Sequence, residues 1–227
     1  MRIGLLTAGH LPDEMQARTG DYDQLYGRLL EGQGIELVPW DVVNSEFPQS
    51  VDAADGWLIS GSKHGAYEDH PWIARLEEFI RAAYEARVPI VGICFGHQIV
   101  AQALGGRVEK FKGGWAIGRH EYDWNGDKVV LNAWHQDQVV ATPLGAEVVA
   151  RSPHCAYAAL VYPGGAFTVQ AHPEFDRQEV ASLIEVRAPG LVPEPLIQRA
   201  EDALDEPVDN QRLAHQIGAF FRETRHG

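Results

Sequence analysis

The chain has 227 residues, 45% of them apolar, and a formal net charge of −13 at neutral pH. Such a length suits one domain, and the apolar share is large enough to bury a core, which excludes a disordered chain. The acidic balance argues against a nucleic-acid or anionic-membrane surface, since both select clustered Lys and Arg. Two cysteines, Cys94 and Cys155, exclude a disulfide framework. The apolar opening meets Pro12, Asp13 and Glu14 too early for a signal segment, and no stretch reaches membrane-spanning length, so a cytoplasmic location is expected.

In chain order, Arg2–Gly9 reads as a short buried strand closed by glycine. Tyr22, Leu25, Tyr26, Leu29 and Leu30 recur at helical spacing, with Gly32 and Gly34 as stop signals. "IELVPW" (35–40) is a second strand, and Gly56–Ser62 a third that ends in a loop of small residues. From Pro71, apolar positions 73, 76, 80, 83 and 84 predict an amphipathic helix. "VPIVGI" (88–93) lacks alternation and reads as a strand buried on both faces. From Gly105 to Gln170, short strand-like runs alternate with turn signals such as "NGDK" and "YPGGAF", which predicts antiparallel hairpins added to the sheet. "FTVQAHPEF" is a late strand. The tail from Asp176 predicts about three helical pieces broken near Pro189 and Pro207. The last carries Asn210 as N-cap and Leu213, Ile217, Phe220 and Phe221 on one stripe. Alternation of strands and helices implies an α/β fold with a mostly parallel sheet, and ligands in such sheets sit at the C-terminal ends of the strands.

One of those ends holds "GICFGHQ". Gly92-Ile93-Cys94-Phe95-Gly96 is G-x-C-x-G between a buried strand and a helix, the cysteine counterpart of the nucleophile elbow. A side chain on so sharp a turn requires tiny neighbours two residues either way so that strand and helix can approach. Placement at a helix N-terminus favours a thiolate, and the Phe95 N–H can serve an oxyanion hole. The alternative is a buried structural cysteine, the reading given to Cys155, which lacks flanking glycines. A thiolate needs a base and the base an orienter. His172 and Glu174, two apart at a strand end, would share one side about 7 Å apart along the chain. Taken alone, that pair reads rather as an ordinary strand-end turn.

"GICFGHQ" followed late in the chain by "HPE", and preceded by a Ser-Gly loop, resembles the class I glutamine amidotransferase family over roughly residues 55–175. The resemblance implies a flavodoxin-like three-layer α/β/α fold within one domain over 1–227, with a helical extension from about 176. It implies a triad of Cys94, His172 and Glu174 that hydrolyses the γ-amide of glutamine through a γ-glutamyl thioester and releases ammonia. The oxyanion would be held by the backbone of Phe95 and Ser62. "NAWHQDQV" resembles the family segment that grips the amino-acid end of glutamine, so Gly61, Gln98, Trp134, His135 and Gln136 are expected to bind substrate. The chain departs from the family's S-G-G-P loop at Ser60-Gly61-Ser62-Lys63. A serine keeps its N–H in place there only if its φ is not strongly positive. No P-loop, H-E-x-x-H or C-x-x-C is present, so no cofactor and no metal are expected. The chain lacks length for a synthetase domain, so an acceptor-enzyme subunit is an expected partner beside the small-molecule substrate. Two rivals stay open: a γ-glutamyl peptidase using the same triad, and a catalytically silent binding or regulatory module.

Overall fold

The computed structural model describes residues 1–224; residues 225–227, the end of the expected 1–227 domain, lie outside the described residues. Strands and helices are numbered in chain order. Five strands form the parallel part of a nine-stranded sheet: β2 (Glu36–Trp40), β1 (Arg2–Leu6), β3 (Gly56–Ile59), β4 (Ile90–Ile93) and β11 (Ala166–Val169), in that spatial order. β1, β3 and β4 are buried almost throughout, which is why they read as continuous apolar runs, and β11 is buried as well. β2 is the edge, and it tolerates Pro39 because an edge strand has a side without ladder bonds.

The sheet continues antiparallel through β10 (Ala159–Tyr162), β9 (Glu147–Arg151), β6 (Ala116–Trp124) and β7 (Asp127–His135). Asn125 and Gly126 both adopt positive φ in the β6–β7 turn, the backbone an Asn-Gly hairpin requires. One part of the hairpin expectation is corrected. β5 (Arg107–Lys110) and β8 (Asp137–Ala141) pair only with each other, as a separate two-stranded sheet.

Two helices, α3 (Pro71–Glu85) and α4 (Phe95–Ala103), cover one face and share a core with Leu6, Trp57, Ile59 and Ile90. The other face is covered by α1 (Asp13–Thr19), α2 (Tyr22–Leu29), α5 (Arg177–Arg187), α6 (Glu194–Asp202) and α7 (Asn210–Thr224). The result is a flavodoxin-like α/β fold, and none of its described helices is long and apolar enough to cross a membrane.

The predicted stripes are the buried ones. Leu25, Tyr26 and Leu29 of α2 and Leu213, Ile217 and Phe221 of α7 are all buried; Phe220 is partly buried and rests on Phe167. α1, which Pro12 precedes and whose first turn carries Asp13 and Glu14, was not anticipated. Two local expectations are corrected. Asn210 is the first helical residue rather than the cap, and the Asp209 carbonyl accepts the Arg212 and Leu213 N–H groups. The late strand ends at Val169, so His172 and Glu174 lie on a turn closed by the Phe175 N–H donating to the His172 carbonyl at 3.2 Å.

Candidate active site

The C-terminal ends of β3, β4 and β11 deliver Ser60–Ser62, Cys94 and His172 to one place. Cys94 has φ 54° and ψ −102°, a strained left-handed-side conformation for a side-chain-bearing residue. Its neighbours explain how the turn holds. A Cβ on Gly92 would stand 2.4 Å from the Gly96 carbonyl oxygen, and one on Gly96 would stand 2.3 Å from the Ile59 carbonyl oxygen. The Cys94 N–H donates to the Val169 carbonyl at 2.8 Å, which ties the turn to β11. Cys94 is 6% exposed; Cys155 is buried elsewhere, and burial pushes its thiol up to about 12.

His172 Nδ1 and Glu174 Oε1 are 2.6 Å apart, and the imidazole stacks on Phe175 with ring centroids 4.1 Å apart. The turn that carries them is pinned from three directions. The His172 N–H donates to the Asn132 carbonyl at 2.8 Å, and the Phe175 carbonyl accepts from Asn132 Nδ2 and from Asn210 Nδ2. Tyr26 Oη donates to the same Glu174 oxygen at 3.1 Å. Burial alone would lower the pKa of His172, but the charges of Cys94 and Glu174 outweigh it and raise the group from 6.5 to about 10. The Cys94 sulfur and the Glu174 carboxylate thus both favour the charged form of His172.

Cys94, Ser62, Gln98, Trp134, His135 and Gln136 line one cavity of about 300 Å³. His172 shares a smaller, adjoining cavity with Cys94 and Trp134. His135 is 4% exposed, and burial, then the nearby charge of His172, lowers its pKa well below 6.5. Among the described residues its ring nitrogens have no well-formed hydrogen bond, only an approach of the Asp137 backbone, so an imidazole favoured in its neutral form faces the cavity. Gln98 commits Nε2 to the Asp137 carbonyl at 2.9 Å and to Gln170 Oε1 at 3.3 Å. Gly61 is the one expected substrate contact outside both cavity walls. A Cβ there would stand 2.6 Å from Tyr22 Oη and 3.0 Å from His172 Cε1, so its bareness makes room for the imidazole. Among the described non-glycine residues only Ser45, Arg87, Cys94 and Asn125 have positive φ, so Ser62 fits its loop without backbone strain. Neither the Ser62 nor the Phe95 N–H has an acceptor among the described residues. The Phe95 side chain points away from the cavity, onto Trp72.

Sequence reasoning missed several neighbours. Gln170 Nε2 approaches Cys94 Sγ at 3.7 Å; its position two before His172, in a run that alternates, was the available signal. Tyr67, Lys110, Arg187 and Leu191 reach the cavity from four separate segments and carry no signal in their spacing; Lys63, in the loop that departs from the family pattern, and Trp115 line it too. No metal was expected, yet His64, Glu68 and His70 bring their ligand-capable atoms within 4.8 Å of one another on the cavity rim. Their H-x-x-x-E-x-H spacing matches no standard pair, and only the reversal of the loop unites them.

The family model for class-I glutamine amidotransferases matches residues 25–185, starting in α2 and so reaching further forward than the sequence motifs alone. A glutamine amidotransferase-like protein of Schizosaccharomyces pombe is 31% identical over 97% of this chain and 98% of its own. Gamma-glutamyl peptidase 4 of Arabidopsis thaliana is 28% identical over 89% of this chain and 87% of its own. Among solved structures, a glutamine amidotransferase of Thermotoga maritima superposes with a TM-score of 0.74 at 19% identity, over 100% of this chain and 99% of that one, which speaks to the fold. A family model covering most of the chain, and a relative matched almost end to end, establish that the chain belongs to the class I glutamine amidotransferase family.

Proposed function

We propose that the chain is a cysteine amidohydrolase working as one domain, which cleaves the γ-amide of glutamine and hands ammonia to an acceptor-enzyme subunit. The observation that carries this reading is the short His172–Glu174 contact beside Cys94. The Cys94 thiolate attacks the amide carbonyl carbon, forming a C–S bond, and the oxyanion is received by the free N–H groups of Ser62 and Phe95. His172 gives its proton to the departing nitrogen as the C–N bond breaks, leaving a γ-glutamyl thioester on Cys94. Neutral His172 then takes a proton from water, which attacks the thioester; the C–S bond breaks and glutamate leaves. Glu174 keeps the imidazole in one tautomer and balances its charge. His135, Trp134, Gln136 and Gln98 hold the amino-acid end.

A second reading, γ-glutamyl peptidase, changes only the leaving group. It is favoured by the reach of the cavity, which runs from Cys94 to Tyr67 and Leu191, both about half exposed (48% and 47%). The A. thaliana relative bears that activity in its name. A silent binding module is disfavoured, because such a role needs neither the strained cysteine nor the buried ion pair.

Assaying glutamine and γ-glutamyl dipeptides side by side, with wild type and Cys94→Ala, tests both readings. Ammonia from glutamine, abolished in Cys94→Ala, is expected. Release of amino acid from the dipeptides at higher kcat/KM would favour the peptidase. Full turnover by Cys94→Ala would overturn the mechanism.

A further inference from the structure

Between β3 and α3, a loop carries three side chains that no step of the proposed reaction uses. Glu68 Oε2 faces two imidazoles at once: His64 Nδ1 at 2.9 Å and His70 Nε2 at 2.9 Å. Its other oxygen accepts the Gly65 N–H at 2.8 Å, which fixes the carboxylate. The two rings meet edge to face, with centroids 4.7 Å apart, and both lean on Trp72.

We propose that this loop binds one divalent transition-metal ion of the zinc type through His64 Nδ1, Glu68 Oε2 and His70 Nε2. Two imidazoles and a carboxylate suit such an ion and leave a fourth position for water. They suit magnesium and calcium poorly, since those ions take oxygen donors. Ligand atoms about 2.0–2.2 Å from a tetrahedral zinc lie roughly 3.3 Å from one another. The 2.9 Å contacts and the 4.8 Å outer limit bracket that spacing. On binding, two N–H···O bonds give way to bonds with the ion. Each neutral ring then carries its proton on the far nitrogen, His64 Nε2 and His70 Nδ1. The Gly65 N–H already supplies the outer hydrogen bond that metal-ligating carboxylates use.

The site adjoins the cavity without belonging to the Cys94 relay. His64 and Glu68 line the cavity wall and His70 does not. Ser62 Oγ accepts the His64 N–H at 3.1 Å, and Trp72 rests on Phe95 with centroids 5.6 Å apart. An ion here would brace the two residues whose N–H groups face the reacting carbonyl.

Calorimetric titration of Zn²⁺ into chelator-stripped, full-length Cys94→Ser protein tests the proposal; the serine removes a thiol that competes for zinc beside His172. One equivalent is expected to bind, at least tenfold more weakly in Glu68→Gln and without measurable 1:1 binding in His70→Ala. Mg²⁺ at the same concentration should give no heat. Zn²⁺ should raise the Tm of Cys94→Ser alone and not of the same protein carrying His70→Ala, whose circular dichroism reports whether it is folded. Absence of stoichiometric binding, or equal affinity in both variants, would overturn the site.

Discussion

At Cys94, local strain and tertiary packing support each other. The residue can hold φ 54° because Gly92 and Gly96 carry no Cβ, which at either position would run into neighbouring backbone. Gly96→Ala is therefore expected to cost about 1–3 kcal/mol or more by overpacking against backbone that cannot yield. Chemical denaturation would measure it, and a loss under 0.5 kcal/mol, roughly that of a neutral surface change, would contradict the account. The His172 ion pair makes a prediction about pH. A raised pKa means the stabilisation is complete below 6.5 and is lost as pH climbs through about 10. Acylation needs the protonated imidazole, so kcat/KM should fall along an alkaline limb near that value. Glu174→Gln removes the charge that helps raise it, so the limb should move to lower pH while kcat falls by about 10²–10⁴-fold. A limb that stays in place would exclude Glu174 as the orienter. The turn at Cys94 was legible because its flanking glycines mark it in a short window, whereas the His172–Glu174 pair was singled out only by the family resemblance. Tyr26 was not: its spacing announced only a core position, yet its hydroxyl donates to Glu174.

Elements were most legible where burial is two-sided. β1, β3 and β4 lack alternation because helices cover both faces, and α2, α3 and α7 carry wide apolar stripes. α1 escaped notice because it spans seven residues and buries only Met15 and Thr19, too few to set a period. β5 and β8 could be recognised as strands, but which sheet they join depends on pairings between distant segments. α5 opens with a capping box in which the Asp176 side chain accepts the Gln178 N–H at 2.7 Å and Glu179 answers through the Asp176 N–H. Asp176→Ala should cost about 1 kcal/mol. Because α5 also delivers Arg187 to the cavity rim, KM should rise more than kcat falls; a pure kcat effect would show that the helix start does not position that rim.

Over the whole molecule, the face opposite α3 and α4 is assembled from segments far apart in the chain, and α7 closes it. Leu213, Ile217 and Phe221 are each at most 1% exposed, so Phe221→Ala should lower stability by about 3–5 kcal/mol. Thermal unfolding would report that loss, and a change below about 1 kcal/mol would mean that the face tolerates the cavity. The same helix begins with Asn210, whose side chain holds the Phe175 carbonyl 35 positions upstream, at the turn bearing His172 and Glu174. That clamp bears on biosynthesis. A nascent chain can complete the Cys94 elbow and synthesise His172 well before Asn210 has left the ribosome. The turn bearing His172 and Glu174 thus gains that hydrogen bond only once α7 docks. A chain ending at residue 205 should retain Cys94 yet form little or no thioester, whereas Asn210→Asp, which exchanges the donor for an acceptor, should slow the full-length protein without unfolding it.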